Sequence, residues 1–235
     1  EEAGHAQDQQ GNLLEIVHLW SFRSLTSRDA EAGEQSLNHI PFRRVTVDAN
    51  GNLSDKDAMY PFARMSLQMS RARKEPRIGV LGEHVSRHIC WPWDLDFWFE
   101  LNNGRTLTLY DLGRLPLAVR IGMITVLKER RWGMTVAGST IRYRRRVRAF
   151  EKYTMRSRGI GWDNRFFYIE QAMWRGETCC NHALIRMAVT DKSGILDPQD
   201  MATALGHPGP SPELPDWATA WIAADATRPW PPMQD

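Results

Sequence analysis

The stretch Trp91-Pro92-Trp93-Asp94-Leu95-Asp96-Phe97-Trp98-Phe99-Glu100-Leu101-Asn102-Asn103-Gly104-Arg105-Thr106-Leu107-Thr108-Leu109-Tyr110-Asp111-Leu112-Gly113-Arg114 decides how the chain is read. An aromatic-rich segment carries two carboxylates, Asp94 and Asp96, one residue apart, and runs through Asn102-Asn103-Gly104 into a helical pattern. Leu107, Leu109, Tyr110, Leu112 and Leu115 leave Arg105, Thr108, Asp111 and Arg114 as a single polar stripe. A helix that is apolar over most of its circumference must be enclosed, as when a sheet wraps around it. Asp111 and Arg114 are spaced to pair within the stripe. The acids fall beside the amino end of this helix, where backbone N–H groups lack partners and the dipole is positive. That geometry suits attack on an acyl carbonyl.

Upstream, Glu83–Trp91 reads as a strand, with Val85, Ile89 and Trp91 alternating against polar neighbours. His84 and His88 share one strand face and read as two partly exposed histidines, since no third metal ligand accompanies them. Downstream, Pro116 predicts the start of a second helix over about 116–131. Four strand-like runs follow at 134–146, 149–160, 165–175 and 178–190, and their short connections predict antiparallel neighbours. Asp197–Leu205 reads as a short helix ended by Gly206, and the Pro/Trp-rich tail over 207–235 as loosely docked or extended, with Trp217 and Trp221 in one possible helical turn. One strand, two helices and a meander define an α+β domain over 83–206.

The composition is that of an ordinary globular protein, at 42% hydrophobic and 25% charged over 235 residues. Cys90, Cys179 and Cys180 make no disulfide framework and no zinc spacing, so a reducing, cytoplasmic setting is expected. No run reaches about 18 apolar residues, and the polar, acidic amino end does not read as a secretory signal. The charge is uneven: residues 1–58 hold 5 basic and 10 acidic side chains, residues 59–205 hold 24 and 14, and residues 206–235 hold 1 and 4. A basic middle segment points to an anionic ligand.

Residues 1–58 read as a poorly structured acidic extension with Met59 as a natural start, or alternatively as a small accessory segment with one helix and one strand. Residues 59–82 form a basic amphipathic lead-in, with Phe62, Met65 and Met69 on one face and Arg64, Arg71, Arg73 and Lys74 elsewhere. Packing against the domain is the expected fate of that face, with a membrane surface the less favoured one.

Thioester or ester hydrolysis needs an activated nucleophile, charge stabilisation at the carbonyl oxygen and a grip on the leaving group. Asp94 or Asp96 supplies a nucleophile or a general base. Amides near Asn103 and Gly104 supply oxyanion contacts, with Gly104 permitting close approach. Arg105 and the row Arg142, Arg144, Arg146 and Arg148 suit phosphates. The plainer alternatives are a turn at Asp94–Asp96, a cap at Asn102 or Asn103, and a solvated strand face for the arginines. The arginine row lacks interleaved aromatics, so nucleic acid is not expected. No serine elbow, zinc-protease helix, Walker loop or dinucleotide fingerprint is present, and no metal or other cofactor is called for.

Residues 84–205 resemble the thioesterase-like hotdog domains of the 4-hydroxybenzoyl-CoA thioesterase superfamily, closest to the bacterial proteins similar to thioesterase superfamily member 6. The family pattern Asp-x-Asp, spacer, His-x-Asn-Asn and then a helix with an acid and an arginine stands here as Asp94-Leu95-Asp96, Phe97-Trp98-Phe99, Glu100-Leu101-Asn102-Asn103, with Asp111 and Arg114 downstream. Gly161-Trp162-Asp163 and Phe167-Tyr168-Ile169-Glu170-Gln171 also fit. The resemblance implies a hotdog fold, a curved antiparallel sheet wrapped around the helix after Asn103. It also implies homodimers, or dimers of dimers, with acyl-CoA sites between subunits. By position Asp96 matches the catalytic carboxylate, and Asn103 and Gly104 the carbonyl-polarising helix start. Glu100 stands in place of the usual His, and Thr106 where relatives often carry Tyr. Two carboxylates near one helix terminus are placed to share a proton, raising one pKa.

The sequence thus predicts an acyl-CoA thioesterase-like hydrolase. Asp96 and Glu100 are its catalytic residues, and Asn102, Asn103, Gly104, Arg105, Arg142 and Arg144 bind substrate. The alternative is a non-catalytic hotdog scaffold that binds acyl-CoA or lipid. A hotdog hydratase fits less well, because its Asp/His pairing is absent.

Overall fold

A computed structural model describes residues 60–233. The extension expected over 1–58, and Met59, lie outside the described residues. Helix α1 (Phe62–Lys74) precedes strand β1 (Glu83–Ile89), and a single 3-10 turn, Pro92–Asp94, leads to the central helix α2 (Asn103–Arg120). Helix α3 (Met123–Arg130) is followed by β2 (Gly133–Tyr143), β3 (Lys152–Trp162), β4 (Phe167–Arg175), β5 (Thr178–Asp191) and the short β6 (Gly194–Ile195). Helices α4 (Pro198–Ala204) and α5 (Asp216–Ala226) complete the order. The antiparallel sheet runs β1-β3-β4-β5-β2, with β6 on the end of β5. It curls around α2 in the α+β hotdog arrangement.

The enclosure expected of α2 is present. Leu109, Tyr110, Leu112, Leu115, Leu117 and Ala118 are all buried, as are Thr106 and, in the polar stripe, Arg114, while Leu107 in the first turns is exposed. Asp111 and Arg114 pair, and Arg114 also donates to Gln171 Oε1 on β4. Helix and sheet meet so closely at Gly113 that a Cβ there would lie 2.5 Å from Met155 Sδ and Ser157 Oγ. Alternation sorts the strands: Met155, Ser157, Gln171, Met173, Ala183 and Ile185 face α2 and are buried.

Four readings change. Pro116 does not begin a second helix but sits buried inside α2, which continues to Arg120. Proline costs the helix one N–H donor and crowds the preceding turn, and burial of Leu115, Leu117 and Ala118 on the same stretch offsets this. The break comes at Gly122, whose φ of 83° opens α3. His84 and His88 are buried rather than partly exposed, because the inner face of β1 lies under the helices. The arginines at 142–148 do not share one strand face. Strand β2 ends at Tyr143, and the amides of Arg144 and Arg145 both donate to the Cys180 carbonyl at 2.8 and 3.0 Å.

The tail, finally, forms α5. Ala218 is fully buried, Trp221 and Ile222 pack against Ile160, Tyr168 and Leu184 on the outer sheet face, and Arg186 pairs with Asp225 at 2.8 Å. The apolar stripe of α1 packs inward, with Met65, Met69 and Ala72 buried. No helix among the described residues is long and apolar enough to cross a membrane.

Candidate active site

The segment between β1 and α2 is folded by its two aspartates, which do different work. Asp94 closes the 3-10 turn and is fully buried. Its carboxylate accepts two hydrogen bonds from Arg64 on α1 (2.8 and 2.7 Å), one from Arg105 Nε (2.8 Å) and one from the Trp91 amide (3.1 Å). Burial alone would raise this carboxyl, but the Arg64 and Arg105 guanidinium groups outweigh it and hold it below the ordinary range. Asp94 is therefore a clamp between α1 and α2. Arg105, expected to hold a substrate phosphate, is committed to Asp94 instead.

Asp96 opens a tight loop. Its amide donates to the Glu100 carbonyl at 2.8 Å, and its Oδ1 accepts from the amides of Trp98 (2.9 Å) and Glu100 (3.4 Å). The carboxylate is half-buried, with no cation paired to it among the described residues. Short bridges, Leu95 to Leu101 and Glu100 to Arg148, fix the loop's base. The side chain of Glu100 turns to Arg146, whose Nε stands 2.8 Å from Oε2 without hydrogen-bond alignment. The proton-sharing partner expected in Asp96 is thus replaced by a guanidinium.

Asn102 is the helix cap, its Oδ1 accepting from the Arg105 amide at 3.0 Å. The next two amides, of Asn103 and Gly104, make no hydrogen bond among the described residues, and both residues are exposed. A Cβ at Gly104 would meet only Asn102 Oδ1, at 3.3 Å, so the backbone there is open to an approaching group. A cleft of about 200 Å³ adjoins this helix start, lined by Glu100, Asn103, Thr106, Tyr143, Arg144 and Asn181. Tyr143 Oη donates to the Asn103 carbonyl at 3.2 Å. Arg144 borders the cleft and also an outer-face groove that it shares with Arg142, which lies opposite His182 on β5.

Of the predicted site residues, the fold brings Glu100, Asn103 and Arg144 to the cleft, with Gly104 and Asp96 on the flanking helix turn and loop. It turns Arg105 inward and Arg142 outward. Sequence reasoning missed Arg64, Tyr143 and Asn181. Only the alternation that sets Tyr143 opposite in sense to Arg142 was available as a signal for any of them. No group of three or more potential metal ligands occurs among the described residues.

A curled sheet around a capped helix, with a carboxylate loop at the helix start, places the chain in the hotdog class. Residues 90–222 match the model of the thioesterase-like superfamily, more than half the chain, and the chain belongs to that superfamily. Similar relatives include Protein THEM6 of Xenopus laevis, 39% identical over 111 residues covering 47% of this chain and 54% of that one. Protein THEM6 of Drosophila melanogaster is 25% identical over 139 residues, covering 58% and 70%. Among solved structures, YbaW of Escherichia coli, described as a probable thioesterase, aligns with a TM-score of 0.50 at 16% identity, covering 53% of this chain and 96% of that one. That likeness concerns the fold. The chain spans about half the length of the first curated relatives it matches.

Proposed function

We propose that the protein hydrolyses acyl thioesters of the acyl-CoA type, with Asp96 as the reacting carboxylate. One observation carries the reading: among the described residues, a half-buried carboxylate without a cation partner sits on the loop that leads into a helix whose first two amides are unpaired. Those amides of Asn103 and Gly104 suit the oxygen of a thioester carbonyl, where negative charge grows as the carbonyl is attacked. Asp96 either attacks the carbon directly, giving an anhydride that water then cleaves, or takes a proton from an attacking water. The C–S bond breaks in both routes: in the first the departing thiolate takes its proton from water, and in the second it takes the proton that Asp96 removed from the attacking water. Glu100 and Arg146 form the charged wall of the cleft, and Arg144 and Arg145 are cations that line it and suit an anionic leaving group.

A homodimer completes the reading. Among the described residues strand β2 is an edge strand of eleven residues, in which Val136, Ala137 and Ser139 are exposed and no charge occurs before Arg142. Such an edge is a template for pairing with another strand, and a second copy is the occupant the family resemblance implies. Three free cysteines, two of them buried, suit a reducing compartment such as the cytoplasm.

The test is a panel of short, medium, long and aromatic acyl-CoA thioesters, with release of free thiol as readout, on the wild type and Asp96→Asn. Turnover in the wild type with loss in the variant supports the proposal. Binding of acyl-CoA without turnover would establish the non-catalytic scaffold in its place.

A further inference from the structure

We propose that the end of the molecule bearing the Asp96 loop docks on an anionic lipid bilayer, with the aromatic loop tip entering the headgroup layer. Five large aromatic side chains project there: Trp93 (59% exposed), Phe97 (75%), Trp98 (67%), Phe99 (78%) and Phe150 (64%). They fall in two ring groups on adjoining segments: Phe97 meets Trp98 at 3.6 Å on the loop tip, and the Glu100–Arg148 bridge sets that loop beside the segment carrying Phe150. Trp91 stacks on Trp93 at 5.1 Å and meets Phe150 edge-on at 6.2 Å, and the Phe150 amide donates to the Cys90 carbonyl. Single exposed apolar residues are ordinary on a soluble surface, but a contiguous cluster is not.

Backbone strain also falls in this patch, at two of the four non-glycine residues with positive φ among the described residues, the others being Arg131 and Met233. Phe99 and Phe150 both hold left-handed backbone, with φ of 61° and 62°. A bulky residue there is disfavoured where Gly or Asn would be relaxed, and a strained position that persists points to function. Neither side chain repays the strain by packing into the core, since both are mostly exposed. The strain instead serves to hold apolar rings out into the surroundings.

The rim selects the partner. Residues 142–152 carry Arg142, Arg144, Arg145, Arg146, Arg148 and Lys152 against one acid, Glu151. Glu151 is already held by Arg175, and Glu100 by Arg146. Arg144, Arg145 and Arg148 are exposed and make no side-chain ion pair among the described residues. Exposed tryptophan and phenylalanine beside exposed arginines match a bilayer interface bearing anionic headgroups, where aromatic rings settle at headgroup depth and basic side chains meet lipid phosphates. Helix α1, the other basic amphipathic element, has turned its methionines inward and does not compete for this role. Docking would bring the mouth beside Asp96 and Asn103 to the membrane surface.

The full chain is mixed with vesicles of phosphatidylcholine alone, or with 30 mol% (about one lipid in three) phosphatidylserine, and bound protein is measured by sedimentation. The expected result is binding to the anionic vesicles that weakens with salt, and about tenfold or greater loss in Phe97→Ser/Trp98→Ser and in Arg145→Glu/Arg148→Glu. Both variants change exposed side chains, and their circular dichroism is expected to match wild type. Equal binding to neutral vesicles, no binding, or undiminished binding by the tip variant overturns the proposal. So does a tip variant that turns a wild-type dimer into a monomer by analytical ultracentrifugation, which makes the patch a contact between copies. None of these readouts depends on thioester hydrolysis.

Discussion

Arg64 grips Asp94 through two parallel hydrogen bonds of 2.8 and 2.7 Å, joining a helix to the segment thirty residues further on. Asp94 is fully buried and also accepts from Arg105, so a single carboxylate answers two guanidinium groups. Paired this way the charges are tolerated inside, but one partner alone is not.

Removing the Asp94 charge should therefore harm stability more than any other single change near the site. Asp94→Asn leaves Arg64 and Arg105 without their anion and is expected to cost about 3 kcal/mol. The measurement is the urea midpoint at neutral pH, with unchanged slope. A loss under about 0.5 kcal/mol would show that the clamp contributes little.

Asp96→Asn is expected to behave in the opposite way. The side chain is half-buried and, among the described residues, bonds only to amides of its own loop, which an asparagine oxygen still satisfies. Stability should stay within about 0.5 kcal/mol while thioester turnover drops by about a hundredfold or more. Glu100→Gln, which leaves Asp96 in place and weakens only the contact with Arg146, is expected to lower kcat by less than about tenfold. Equal losses in the two variants would mean that the carboxylates act as a unit.

What the sequence conveyed and what it withheld divide along the range of the interactions. The Asp-x-Asp loop, the Asn cap and the all-round apolar helix are local patterns, and they announced the wrapped sheet; strand limits followed within a few residues because alternation is local too. The Arg64 partner of Asp94 is non-local and carries no motif, so Asp94 and Asp96 looked alike until α1 was in place. Arg105 had the same ambiguity, since a cation at a helix start reads equally as ligand grip or clamp. Pro116, His84 and His88 depart from the sequence pattern for one reason. Their outcome depends on what lies above them, and burial under a neighbouring helix leaves no trace in a ten-residue window. Arg142 and Arg144 are separated by the strand ending at Tyr143, where two amides share the Cys180 carbonyl.

Gly113→Ala tests the closeness of the wrap. Alanine is the better helix former by about 1 kcal/mol, yet its Cβ would stand 2.5 Å from both Met155 Sδ and Ser157 Oγ. Helix and strand must then part or Met155 must leave its rotamer. A net destabilisation of about 1–3 kcal/mol is expected by thermal or urea unfolding. A variant as stable as wild type would mean that the sheet yields at β3.

His88 gives the fold a dependence on pH that precedes any carboxylate effect. Its ring is buried on the inner face of β1, with Nε2 2.7 Å from Ser86 Oγ and its plane stacked on Tyr153 at 5.4 Å. Burial, reinforced by the Arg64 charge, lowers it from the ordinary 6.5 to about 4. In the unfolded chain the ring takes up a proton near pH 6.5, whereas in the folded chain it does so only near 4. The unfolded state therefore binds more protons between these values, and stability must fall as pH drops through that window. The full difference amounts to roughly 3 kcal/mol, complete by about pH 4 and absent above about pH 7. His84, buried beside Arg120 and also lowered, acts in the same direction, while the depressed Asp94 carboxyl contributes only at more acid pH. Urea unfolding of wild type and His88→Gln at pH 7, 6, 5 and 4 separates the terms. The variant is expected to start less stable at pH 7 and to lose distinctly less on acidification, so that the two curves converge. Parallel curves would show that His88 is protonated in the folded protein and that its burial is not what sets the acid limit.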